Sequence, residues 1–202
     1  MRVGVLGTGP AGRALGGRLA DLGHDVVLGS RRPAAGATVT YAEAAEHAQL
    51  VINATYGVAS LDALRRAGAE RLDGKVLLDI ANPLDHSHPP PPSLAIVNTD
   101  SLGERIQRAF PSARVVKALN TVTADVMVRP DLLPEDHTAF VAGEDAEAKA
   151  TVADVLRSFG WRTILDLGGI QAARGLEMYV PLWLALSNAL GTPIFNVHLV
   201  RS

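Results

Sequence analysis

The segment Gly7-Thr8-Gly9-Pro10-Ala11-Gly12 has the residue types and spacing needed to hold a diphosphate against main-chain amides. In a G-x-G-x-x-G segment the first glycine permits a tight turn after a strand and the second lets the backbone approach the phosphates. The third lets the following helix pack close to the strand, and the helix N-terminus offers its free amides to the anion. A bare glycine pattern is weak evidence. Here an apolar run precedes it, and Ala14, Leu15, Leu19 and Leu22 follow with helical spacing. An NAD site usually places an acidic residue roughly 20 residues further on, where it binds the ribose hydroxyls. This chain instead reads Gly29-Ser30-Arg31-Arg32. Ser30 can hydrogen-bond a 2′-phosphate, and Arg31 and Arg32 can neutralise it and stack against it, so these residues favour NADP(H) over NAD.

Other polar strand ends would meet the same crevice, because ligands of open parallel sheets bind beyond the carboxyl ends of the strands. Thr55 and Tyr56, then Ala81, Asn82 and Pro83, and finally Asn120 and Val122 occupy such places. Hydride transfer to a carbonyl also needs a proton donor. The residues four positions after Tyr41, Tyr56 and Tyr179 are Ala45, Ser60 and Trp183, so no Tyr-x-x-x-Lys pair exists. Lys75, Lys117 and Lys149 are the only lysines, and Lys117 reads as a charge at a strand end. No His and carboxylate spacing suggests a dyad. With no catalytic side chain expected, the fitting chemistry is direct hydride exchange between two stacked rings, in which the protein aligns the rings and excludes water.

The elements that must position these residues alternate short β-branched runs with alanine-rich helical stretches. This predicts an α/β, Rossmann-type doubly wound and mostly parallel sheet. Strands are expected at 2–6, 25–28, 50–54, 76–79, 114–119, 139–142, 163–166 and 195–200. Helices are expected near 11–22, 41–47, 59–67, 102–109, 146–159 and 175–190. The stretch Asp85-His86-Ser87-His88 before Pro89 to Pro92 should be an exposed polyproline loop, since four prolines supply no amide donors. The final helix, with Leu176, Met178, Tyr179, Val180, Leu182, Trp183, Leu184 and Leu186, is apolar on more than one side and is expected to be buried on several faces. Tyr179 and Trp183 would wall a ring pocket, and the remaining apolar surface would suit a homodimer seam.

The 202 residues, 48% of them apolar, suit one domain with a sizeable core. Residues 168–202 are expected to form a C-terminal helical and strand cap or dimerisation extension. A net charge of −2 gives no basic field for nucleic acid or an anionic membrane. The absence of cysteine excludes thiolate nucleophiles and Cys-containing zinc sites, and the two loop histidines have no third ligand at a recognisable spacing, so no metal is expected. No apolar stretch long enough for a signal peptide or a membrane span is visible, which predicts a cytoplasmic protein.

Three segments carry a resemblance. Gly29-Ser30-Arg31-Arg32, Val116-Lys117-Ala118-Leu119-Asn120-Thr121-Val122, and Pro181-Leu182-Trp183-Leu184 leading to Phe195-Asn196-Val197-His198-Leu199-Val200 together resemble the coenzyme F420-dependent NADP oxidoreductase family, and are also similar to the reductase domain of the STEAP metalloreductases. The resemblance covers almost the whole chain. It implies NADP(H) as cofactor and F420, or FMN/FAD, as the second redox substrate. By position it places Thr8, Gly9, Pro10 and Ala11 on the pyrophosphate and Ser30, Arg31 and Arg32 on the 2′-phosphate. Asn82, Pro83, Asn120 and Val122 would line the meeting place of the rings. This chain differs from the characterised archaeal pattern in a glycine loop one residue shorter, in Asn120 where a histidine can stand, and in Thr55-Tyr56 replacing an apolar-proline turn. Two other functions compete: a reductase of a ketone, imine or hydroxy acid, and a non-catalytic NADP-binding sensor.

Overall fold

The computed structural model describes residues 1–200, so Arg201 and Ser202 lie outside the described residues. Strand β1 (Arg2–Leu6) runs into the glycine turn and helix α1 (Pro10–Asp21), and β2 (Asp25–Ser30) returns beside it. After β3 (Val39–Thr40), helix α2 (Tyr41–His47) starts at a capping box in which the Thr40 hydroxyl accepts from the Glu43 amide and Glu43 reaches back to the Thr40 amide. Strand β4 (Leu50–Asn53), helices α3 (Ser60–Ala67) and α4 (Ala69–Leu72), and β5 (Val76–Asp79) follow. The proline-rich loop is exposed and is tied at its base by the short antiparallel pair β6 (Leu84–Asp85) and β7 (Ser93–Leu94). Next come α5 (Leu102–Ala109), β8 (Arg114–Ala118), α6 (Ala124–Val128), β9 (Thr138–Ala142), α7 (Ala146–Phe159) and β10 (Thr163–Asp166). Helices α8 (Ala173–Met178) and α9 (Val180–Leu190) lead to the C-terminal segment.

Eight strands form one sheet in the order β10-β9-β8-β5-β4-β1-β2-β3. All neighbours are parallel except β8 and β9, which are antiparallel. This is the doubly wound, mostly parallel arrangement expected, with β9 and β10 running against the rest. Alternating side chains feed two cores. Val3, Val5, Leu50, Ile52, Val76 and Leu78 meet α1, α6 and α7 on one face, while Val51 and Leu77 meet α2, α3 and α5 on the other. Each such fully buried aliphatic side chain contributes about 1.5–3 kcal/mol. The order of the chain reverses between β1 and β4, which opens a crevice at the carboxyl ends of these strands.

Three expectations for the C-terminal region need correction. The single helix expected over 175–190 is divided at Tyr179. Pro181 has no N–H to give the Glu177 carbonyl and sits instead in the first turn of α9. The apolar surface of α9 is also not buried on several faces, since Val180 is its one buried residue, while Leu182 and Leu190 are 55% and 57% exposed. Residues 195–200 form no strand. Strands β8 and β9 pair through only two residues, and near the other end of β9 the segment makes a single rung, with the Thr138 amide donating to the Val197 carbonyl. The Asn196 side-chain amide ties down the same place through the Thr138 carbonyl.

Helix α8 is fixed to α5 by a two-pronged ion pair in which Arg174 Nε and Nη2 donate to Glu104 at 2.8 and 2.6 Å. The Arg174 hydrogen bonds hold the Glu104 carboxyl below the usual carboxylate range. A folded-state pKa depressed in this way stabilises above the unfolded pKa, and that contribution is lost as the pH falls through the folded value. Arg174→Ala should therefore lower the melting temperature at pH 7, and the difference from wild type should shrink as the pH falls below the ordinary glutamate range. Thermal melts at neutral and at acid pH check it; a difference that persists undiminished in acid would assign the loss to packing of the arginine stem.

Candidate functional site

The crevice holds a cavity of about 500 Å³ lined by Gly7, Thr8, Gly9, Pro10, Ala11, Ser30, Arg31, Arg32, Tyr41, Ala54, Thr55, Tyr56 and Ala59. Four segments far apart in sequence meet here because β1, β2 and β4 are adjacent and end at the same edge. Gly7 has φ +123°, and a Cβ on it would lie 2.3 Å from the Ala54 carbonyl oxygen. A Cβ on Gly12 would lie 2.3 Å from the Gly7 carbonyl oxygen, so this glycine sits behind the loop and sets how closely α1 approaches β1. By contrast, a Cβ on Gly9 would meet nothing within 4 Å and would project into open space. Helix α1 has no side-chain cap and no acidic residue in its first turn, so its positive end faces the cavity without a protein anion to offset it.

At the rim, the Ser30 hydroxyl donates to the Arg32 carbonyl at 3.1 Å and accepts from the Arg32 amide at 3.2 Å. This bonding shapes the turn that presents Arg31 and Arg32, both exposed. Among the described residues, no acidic side chain lines the cavity. On the opposite wall, Thr55 is turned back on Asn53, whose Oδ1 accepts from its Oγ1 at 2.6 Å and from its amide at 3.3 Å. The Tyr56 ring is half exposed and lies 5.5 Å from that of His86, bringing the proline-rich loop to the crevice. Sequence reasoning missed Tyr41 and Ala59; Tyr41 opens the helix after β3, at the same sheet edge.

The remaining candidates lie outside this cavity: Ala81, Asn82, Pro83, Asn120 and Val122 follow the ends of β5 and β8, and Tyr179 and Trp183 belong to the C-terminal helices. Asn82 and Asn120 bond reciprocally: Asn82 Nδ2 donates to the Asn120 carbonyl at 2.8 Å, and Asn120 Nδ2 donates to Asn82 Oδ1 at 2.9 Å. Asn120 Nδ2 also donates to the Leu176 carbonyl of α8 at 3.0 Å. Leu119 supplies the reversal that aims Asn120 there, at φ 59°, a conformation costly for a side chain of its size. Asn120 Oδ1 is buried and without a partner among the described residues. Ala81 and Pro83 are buried beside this pair, whereas Val122 belongs to the core. Trp183 stacks on Phe195 at 5.4 Å, and both its Nε1 and the Tyr179 hydroxyl are buried without a partner among the described residues. Burial pushes the Tyr179 phenol up.

Lys117 is not a strand-end charge. Its side chain is fully buried, and Nζ donates to Asp79 Oδ2 at 2.9 Å, to Glu177 Oε1 at 2.9 Å and to the Ala81 carbonyl. Burial alone would push the ammonium down, but the Asp79 and Glu177 carboxylates outweigh it and hold it above the ordinary lysine value. Asp79 Oδ1 in turn accepts from Asn53 Nδ2 at 2.8 Å, and Glu177 accepts the Leu102 and Gly103 amides that start α5 at 2.7 and 3.0 Å. A lysine between Val116 and Ala118 in an otherwise apolar run was the available signal, but its partners are set only by the tertiary fold.

Residues 2–83 match the family model described as NADP oxidoreductase, coenzyme F420-dependent. A crystal structure of an Arthrobacter sp. FB24 protein, provisionally called an F420-dependent NADP-reductase, is 50% identical, superposes with a TM-score of 0.97 and is covered 100% on both chains. The F420-dependent NADP reductase of Methanothermobacter marburgensis is 28% identical over 210 residues, covering 93% of this chain and 92% of that one. Rat metalloreductase STEAP3 is 33% identical over 190 residues, and the alignment takes in 90% of this chain but only 36% of that protein. With half its residues identical to a relative covered from end to end, the chain belongs to the coenzyme F420-dependent NADP oxidoreductase family.

Proposed function

We propose that this NADP-dependent oxidoreductase exchanges hydride directly between NADP(H) and a deazaflavin such as F420, or a flavin. The observation that carries the nucleotide choice is the cavity rim, which presents two arginines and no carboxylate. A 2′-phosphate offers them charge-assisted hydrogen bonds, whereas a ribose diol would find no acceptor of the usual kind. The pyrophosphate fits the open side of Gly9 and the uncapped end of α1. The nicotinamide would then lie toward Asn82, Pro83 and Asn120, at the carboxyl ends of β5 and β8. Bound NADPH supplies the hydride.

At that end the charged side chains are spent on one another. Lys117 is saturated by three acceptors, and Asn82 and Asn120 bond each other. Such a set orients a ring but donates no proton, which suits a ring acceptor better than a carbonyl. A second reading rests on the Tyr179 hydroxyl, which is buried, unpartnered and held protonated, and so could serve a carbonyl or imine.

Anaerobic oxidation of NADPH against a panel of F420, FMN, FAD, a ferric chelate, a ketone and an imine separates these readings. Turnover is expected with F420 or a flavin, with NADH a much poorer donor. Turnover confined to the ketone or imine, and lost in Tyr179→Phe, would overturn the main reading; binding of NADPH with no turnover at all would favour a sensor.

We also infer that α9 is covered by a second copy of the chain, in a homodimer formed by residues 168–202. An uncharged helix with Leu182 and Leu190 exposed needs an apolar partner. Light scattering should give twice the 21.2 kDa chain mass, and Leu182→Glu with Leu190→Glu should give the monomer.

A further inference from the structure

We propose that Lys117 is a positioning residue for hydride transfer: it sets the separation between the Asn82–Pro83 turn and helix α8 by holding the Ala81 carbonyl on one side and the Glu177 carboxylate on the other. The proposal rests on the NADP(H) hydride-transfer reading above.

The three N–H groups of an ammonium match its three acceptors, Asp79, Ala81 and Glu177, which come from β5, the turn after it and α8. None remains for a substrate, so Lys117 cannot be the proton donor. Replacing a buried ionic cluster by apolar residues of similar volume is often neutral or favourable for stability. What an apolar side chain cannot reproduce is direction. Here the directed bonds run to the carbonyl immediately before Asn82 and to the residue immediately after Leu176.

A second link runs parallel to the first. Asn82 bonds Asn120, and Asn120 bonds the Leu176 carbonyl. The turn and α8 are thus joined twice, through neighbouring residues on each side, with the unpartnered Asn120 Oδ1 on the second link. Glu177 has no slack of its own, because its two oxygens also receive the Leu102 and Gly103 amides at the start of α5. These amides, at the positive end of the helix, offset the negative charge left over when one ammonium meets two carboxylates. Releasing Lys117 would free the Ala81 carbonyl and one side of Glu177 together, loosening the place where the rings must meet while leaving the arginine rim untouched.

The test compares two nucleotides in three variants. Lys117→Met alone leaves two buried carboxylates without their cation and can fail to fold, so it is accompanied by the neutral triple variant Asp79→Asn/Lys117→Met/Glu177→Gln and by Glu177→Gln alone. Adenosine 2′,5′-bisphosphate reports on the adenosine half, and NADPH reports on both halves. In the triple variant, affinity for the bisphosphate should stay within about twofold, the advantage of NADPH over it should fall about tenfold, and kcat with F420 should fall about a hundredfold with a smaller change in KM. Glu177→Gln, which keeps the bond from Lys117 to Ala81, should lose only about threefold of the NADPH advantage. Equal loss of both affinities, or an unchanged NADPH advantage in either variant, would overturn the proposal. If the wild type fails to reduce F420 or a flavin, the acceptor reading falls, while the ratio of the two affinities still decides the role of Lys117.

Discussion

Replacing Arg31 and Arg32 together by Ala should weaken NADPH binding about a hundredfold and leave NADH within about threefold. Each arginine can make a charge-assisted hydrogen bond to the 2′-phosphate, worth about 1.5 kcal/mol at the low end, and 1.4 kcal/mol is a factor of ten in affinity. The phosphate is the one part of the cofactor that NADH lacks, so the loss must be selective. Both side chains are exposed and the folded chain does not depend on them, so the melting temperature should hardly move. The residual affinity should also become less sensitive to salt, because the screened attraction has gone. Ser30→Asp in the same background supplies the missing carboxylate and should bring NADH ahead. Calorimetric titration of both nucleotides checks each step, and equal losses for NADPH and NADH would show that the arginines do not read the 2′-phosphate.

The three glycines should separate folding from binding. Gly12→Ala drives a methyl group to 2.3 Å from the Gly7 carbonyl, between two elements anchored in the core, so α1 must move away from β1. Overpacking of this kind costs about 1–3 kcal/mol. Gly7→Ala adds backbone strain to a similar clash, since its φ of +123° is open only to glycine. Both variants should melt earlier and bind NADPH and NADH equally poorly. Gly9→Ala meets nothing in the protein, and its extended backbone suits alanine, so its only folding cost is a less favourable helix N-cap, under about 1 kcal/mol. Its methyl group would stand where the pyrophosphate should pass. Near-normal melting with binding of both nucleotides lost by more than tenfold is the expected result. A Gly9→Ala protein that binds NADPH normally would place the diphosphate elsewhere.

The adenosine half of the site was legible because its information is local. Gly7 to Gly12 and Ser30 to Arg32 each sit at the end of a strand marked by its own apolar run, and a parallel sheet brings such ends to one edge. The nicotinamide half was read only as a set of small polar turns. Its geometry depends on contacts between residues 38 and 56 apart, as in the bonds of Asn120 to Asn82 and Leu176, and periodicity carries no trace of these. Lys117 was misread for the same reason: a strand position tells where a side chain points, whereas its charge partners lie on two other elements. The direction of β9 and β10 was equally hidden, since a strand pattern is the same in either sense. Helix α9 shows a different limit. Apolar residues around a helix signal burial, but not whether the covering surface belongs to the same chain.

Direct passage of hydride from NADPH to a ring held against it, as proposed, can be followed with an isotope. The most direct measurement is anaerobic reaction of NADPH, deuterated at the transferred position of nicotinamide C4, with F420 in ordinary water. Deuterium should appear at carbon 5 of the reduced deazaflavin, where it does not exchange, and not in the solvent. F420 reduced without the label, or NADPH left unoxidised by F420 while a carbonyl or imine is reduced, would rule out direct ring-to-ring transfer.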